Sequence, residues 1–353
     1  MATEIQAELA SYLENPFNFS ALGPDTPLPP PDEPFVATWE RWAGEARERE
    51  AFAVLSEHLP QLRFPIREGI SQTGDYRAAT LKGVLPEGLE GATGLDLERP
   101  DLIHLEIHES PAGRIPVLLA RGRDEFVALV RALGKRNEPS PVPDSQGALM
   151  VSGYNNWDRI RELLRRGESL EKKELYQDRF ILLSDGPYSA VPAAGLGLGE
   201  AEWREISLAI RRDHECAHYF TRRLFGSMRN HVHDELMADY AGMVGATGGF
   251  RADWFLRFLG LEDYPRYRPG GRLDLYRGDP SLSEGAFRVL HTLIRSAARN
   301  LESFDARFLP RSLTDRALML AALASLRLDE LASPEGEALL ERTVAGLRTR
   351  LGW

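Results

Sequence analysis

The chain has 353 residues, 43% of them hydrophobic and 27% charged, a balance that excludes wholesale disorder and leaves room for two sizeable cores. A formal net charge of -10 argues against a general phosphate-binding surface, so nucleic acid is not an expected partner. The single cysteine, Cys216, excludes a disulfide framework, and the longest apolar run, "ALMLAALASL" at 317–326, is far short of the roughly 20 residues that span a bilayer. With acidic residues where a signal peptide carries basic ones, the expectation is a cytoplasmic protein with no membrane association.

The chain opens on a short helical stretch followed by "PDTPLPPPDEP", 24–34, whose six prolines predict an extended arm. Residues 1–34 are therefore expected to form a helix and a Pro-rich arm. "FVATWERWAGEAREREAFAVLSEHL" has the apolar spacing of a surface helix and stops at Pro60. Short β-prone segments follow, "LIHLEIHE", "RIPVLLA" and "GALMVSG" among them, broken by Gly, Pro and Asp and alternating with helical stretches. In "NNWDR", 155–159, Asn155 or Asn156 reads as a helix N-cap with Trp157 in the first turn. "RFILLSDGPYSAV" closes this mixed α/β part, residues 35–191, as a strand that could serve as an edge for an extended substrate.

From residue 192 to 353 the pattern is helical. "GEAEWREISLAIRRDHECAHYFTRRLFG" reads as one long helix, and "DELMADYAGMVGA" as the next, joined by "GSMRNHVH". Ser281 with Glu284 and Ser312 with Asp315 mark two later helix starts. The fold class expected is α+β: a mixed α/β part with a small sheet, then a mostly helical part.

Within the long helix, His214 and His218 are four residues apart, which puts both rings on one face, one turn apart. Two imidazoles so placed suit two corners of a tetrahedral zinc site, and Glu215 lies about 100° round the helix, where a carboxylate reaches a metal-bound water as general base. Glu235 and Asp239 repeat the four-residue spacing on the next helix. Cys216 points away from the histidine face and reads as a small core residue.

"HECAH" followed by "ELMAD" resembles the gluzincin clan of zinc metallopeptidases, the thermolysin-like architecture, over residues 214–239. The resemblance implies a zincin-like helical part, Zn2+ as cofactor, and His214, His218 and Glu235 as ligands. It also implies Glu215 as general base, Asp239 as the acceptor that orients a ligand imidazole, and a peptide or protein as substrate. The 17-residue step from His218 to Glu235 is a little shorter than in the best-known members and implies a tight connection. For the donor that stabilises the oxyanion, His231, His233, Tyr240 and His291 are all candidates, and no motif selects among them. The residues alone also leave open a zinc amidase acting on a small or modified amide, and a non-catalytic zinc-bearing binding protein. Oligomeric state is not legible.

Overall fold

The structure, a computed structural model, describes residues 2–229, 231–308 and 312–353. It is an α+β fold whose chain divides into two compact units: Asp32–Glu109 with Gly113–Gly186, and Met1–Pro31 with Ser110–Ala112 and Pro187–Trp353.

The first of these carries a four-stranded sheet of order β1-β2-β4-β3, with β1 Ile103–Ser110, β2 Gly113–Ala120, β3 Ala148–Asn155 and β4 Gln177–Ser184. Strand β4 runs parallel to β2 and antiparallel to β3, so the sheet is mixed. The expectation of a substrate-binding edge at "RFILLS" is corrected here. From Ile181 to Leu183 β4 is paired on both sides, with Val117–Leu119 and with β3, so it is an interior strand and not an edge. Around the sheet lie α2 Val36–Glu45, α3 Ala51–His58, α4 Gly74–Lys82, α5 Arg123–Leu129 and α6 Trp157–Arg165. Trp39, Trp42, Phe126, Phe180 and Leu182 fill the core between them. Asn156 is the N-cap of α6, its side chain accepting from Arg159 N, and its amide donates to the buried Asp178 at 2.7 Å. Arg159 and the Trp39 indole complete the shell of that carboxylate, so "NNWDR" serves the core.

The second unit is helical. Besides α1 Ala2–Tyr12 it holds α7 Glu200–Phe225, α8 Val232–Thr247, α9 Ala252–Leu259, α10 Glu284–Phe308, α11 Leu313–Ser325, α12 Leu328–Ala332 and α13 Gly336–Leu351. Ser312 and Asp315 form the expected capping box of α11, whereas α10 is capped by Ser283, two residues after the expected Ser281. The first 31 residues belong to this unit rather than standing apart as an arm. Tyr12 donates to the Tyr276 carbonyl at 2.6 Å, Asn15 donates to Ala324 O at 2.7 Å, and Phe17 packs on Phe225. Apolar side chains at that density find partners sooner than they extend into water.

Helices α7 and α8 form the centre of the unit, with α11 packed across both. Trp203, Ile210, Tyr219 and Phe220 are buried along α7, and Gly226, in the left-handed region at φ 70°, ends it and turns the chain back. The return is short: α8 begins at Val232, and Asn230 within the connection lies outside the described residues. The two helices are antiparallel, and they cross closely at Gly242, where an added Cβ would lie 2.6 Å from the Ile210 carbonyl oxygen. That close approach brings the His214 and His218 face of α7 against the Glu235 and Asp239 face of α8. Among the described residues no helix is long and apolar enough to cross a membrane.

Candidate metal centre

Two turns of α7 and the first two turns of α8 carry the five residues that the helical spacing singled out, and the contacts join four of them. The Nε2 atoms of His214 and His218 lie 3.1 Å apart. Glu235 Oε2 is 3.6 Å from His214 Nε2, and its Oε1 is 3.5 Å from His218 Nε2. Around a zinc ion with ligand bonds of about 2.1 Å, tetrahedral geometry separates ligand atoms by about 3.4 Å. With one atom from each residue the three donors lie within 4.8 Å of one another, close enough to share one ion, and two imidazoles with one carboxylate are a donor set that suits zinc.

The fourth residue, Asp239, is wholly buried and accepts from His214 Nδ1 at 2.9 Å. With Nδ1 engaged, Nε2 presents its lone pair toward His218 and Glu235, the tautomer a ligand needs. Tyr188 donates to the same Asp239 oxygen at 2.5 Å and lies 2.7 Å from His214 Nδ1. Arg272 donates to the other oxygen of Asp239, and burial, with the charge of Glu235 adding to it, pushes the Tyr276 hydroxyl well above its usual range.

Charge is arranged accordingly. Burial disfavours the imidazolium of His218, but the hydrogen bond and charge of Glu235 outweigh it and raise its pKa to about 9. Burial likewise opposes ionisation of Glu235, yet His218, His214 and Arg272 hold its carboxyl well below the usual range. Against the same penalty, Arg272 and His214 keep Asp239 ionised. Burial pushes the neighbouring Asp234 up to about 6.

Glu215, the fifth residue, is partly exposed on α7 and forms no hydrogen bond or ion pair among the described residues. Cys216 is fully buried and its thiol is pushed up by that burial, in keeping with a core role.

The four oxyanion-donor candidates have other partners among the described residues. Tyr240 donates to Asp305 at 2.8 Å, and His233 is within 3.1 Å of the Leu323 carbonyl. His291 sits on α10 between the rings of Tyr267 and Phe287. His231 stacks on Tyr12 at 3.6 Å and is lowered by burial to about 4. Among the described residues no side chain of the four bonds to His214, His218 or Glu235. The groups that do surround the cluster, Tyr188, Arg272 and Tyr276, come from irregular segments with no spacing to betray them.

A family model described as a family of unknown function (DUF7005) matches residues 1–335, and the chain belongs to that family. No curated protein and no solved structure matches it.

Proposed function

We propose that this member of a family without an assigned activity is a zinc-dependent hydrolase of the peptidase type, its ligands His214, His218 and Glu235. The observation that carries the reading is the convergence of three ligand residues, each imidazole Nε2 within 3.1 Å of the other and within 3.6 Å of a Glu235 oxygen, beside Glu215. The resemblance to gluzincins supports it independently, because Asp239 takes the orienting place that the resemblance implies. Three protein donors are the number found at catalytic rather than closed structural zinc sites.

When bound, zinc supplies Lewis acidity toward a scissile carbonyl and acidifies a water molecule. Glu215 takes the proton of the attacking water and passes it to the departing amine nitrogen. Asp239 and Tyr188 keep His214 oriented throughout. The hydroxyl of Tyr276, which lies in the field of Glu235, would be the donor for charge developing on the carbonyl oxygen. Accordingly Tyr276→Phe should retain zinc and lower kcat about 10²-fold. Steady-state kinetics together with metal content checks this, and unchanged kcat would remove Tyr276 from the mechanism.

The test of the reading as a whole is metal analysis of the purified chain, followed by digestion of a peptide library with and without chelator. About one zinc per chain and chelator-sensitive cleavage are expected. Protein without stoichiometric metal would overturn the assignment, and zinc without any cleaved peptide would favour a small-amide substrate or a binding role.

A pH dependence follows. Without metal, and against burial, Glu235 raises the pKa of the His218 ring to about 9, so it is mostly protonated at neutral pH, and only the neutral ring is a ligand. Zinc must therefore displace one proton at neutral pH, and its apparent affinity should climb as pH rises toward 9. Calorimetric titrations in buffers of different ionisation enthalpy measure this; uptake of zinc with no proton released at pH 7 would contradict it.

A further inference from the structure

We propose that Arg272 is a positioning residue for this site: acting through Asp239 and Tyr188, it holds His214 with Nε2 turned toward His218 and Glu235. The inference rests on the zinc reading above and concerns a residue that neither the helical spacing nor the resemblance identifies.

Arg272 opens the short turn Arg272–Tyr276, and its side chain is only 15% exposed. Its Nη2 donates to Asp239 Oδ2, while its Nη1 donates to Tyr188 Oη at 2.9 Å and to Ser189 Oγ at 3.0 Å. The guanidinium thus bridges the two groups that meet His214 Nδ1, Asp239 at 2.9 Å and Tyr188 at 2.7 Å. A planar fork can hold both at once; an ammonium, which is a point donor, cannot hold them in the same fixed geometry.

Two further features show why the bridge matters. Asp239 is wholly buried, so without Arg272 its Oδ2 would lack a donor, and the carboxylate could rotate Oδ1 away from the imidazole. Tyr188 is followed by Ser189 and Ala190 at φ 52° and 54°, a left-handed conformation that non-glycine residues disfavour. The bond from Arg272 to Ser189 ties that stretch in place and keeps the tyrosine hydroxyl on its two partners. The same Nη2 lies 3.9 Å from Glu235 Oε2, so one cation offsets both buried carboxylates and keeps the α8 ligand from being repelled by Asp239.

The experiment compares full-length wild type, Arg272→Met, Arg272→Lys and Tyr188→Phe. Zinc affinity is measured by competition with a chromophoric chelator, and the ligand field by the visible spectrum of the cobalt(II) form. Thermal unfolding of the metal-free proteins establishes that each is folded. Arg272→Met should bind zinc about 10–100-fold more weakly and alter the cobalt bands, as loss of an outer partner does. Arg272→Lys should recover part of the affinity, and Tyr188→Phe should show a smaller loss than Arg272→Met. Wild type that takes up one zinc, with Arg272→Met matching its affinity within about twofold and its cobalt spectrum, would overturn the proposal while leaving the zinc reading intact. Wild type that binds no zinc would overturn both. Should Arg272→Met not fold, Arg272→Lys decides: weaker zinc with a changed spectrum supports the proposal, and wild-type behaviour in both overturns it.

Discussion

His214→Ala and Glu215→Gln are expected to fail in different ways although the residues are neighbours on α7. His214→Ala removes one of three donors and leaves Asp239 and Glu235 facing a gap, so zinc affinity should fall by more than the roughly 100-fold that loss of an outer partner costs. Glu215→Gln changes a partly exposed side chain that bonds to nothing among the described residues, so stability should stay within about 0.5 kcal/mol and zinc content should be unchanged. Turnover should nonetheless drop about 10²- to 10⁴-fold, because the amide cannot accept the proton of the attacking water. At about 1.4 kcal/mol per tenfold, that is a rise in barrier of about 3–6 kcal/mol. Metal per chain and hydrolysis of a peptide found in the library screen are the two measurements. Stoichiometric zinc in His214→Ala would refute the ligand set, and wild-type turnover in Glu215→Gln would refute the mechanism alone.

The part of the site that was legible in the sequence is the part built on regular helices. His214 with His218, and Glu235 with Asp239, are visible because a four-residue step on an α-helix fixes which side chains share a face. Tyr188, Arg272 and Tyr276 reach the same cluster from a loop and a turn, where no period relates position to direction. Of the fold, the α+β division and the Ser312–Asp315 cap followed from local chemistry. The run "RFILLS" suits either an edge or a buried strand, and β4 is the buried one: it is apolar without interruption and lies inside the sheet. The Pro-rich arm was judged from its prolines alone, whereas Tyr12 and Phe17 on its N-terminal side needed partners and found them on the helical unit.

The closeness of α7 and α8 at Gly242 makes a substitution far from any ligand a severe one. On an open helix surface, glycine to alanine favours the helix by about 1 kcal/mol, and Gly346 on α13, whose added Cβ would meet nothing within 4 Å, should show that gain. At Gly242 the sign reverses, because the added carbon would lie 2.6 Å from a backbone carbonyl oxygen that no rotamer change can move. Overpacking of this kind costs about 1–3 kcal/mol, and valine adds a branched carbon and a restricted χ1 to it, so Gly242→Val should lose about 3 kcal/mol. For a unit of this size the unfolding temperature should fall by about 6–12 °C. The loss is not confined to stability. Relief of the clash comes only by parting the two helices, and a metal site tolerates shifts of about 0.2 Å in ligand position. Gly242→Val should therefore also weaken zinc binding, whereas Gly346→Ala should leave it unchanged. Calorimetric unfolding and chelator competition on the pair provide the check, and a Gly242→Val protein with wild-type unfolding temperature and zinc affinity would show that the helix crossing does not set the site.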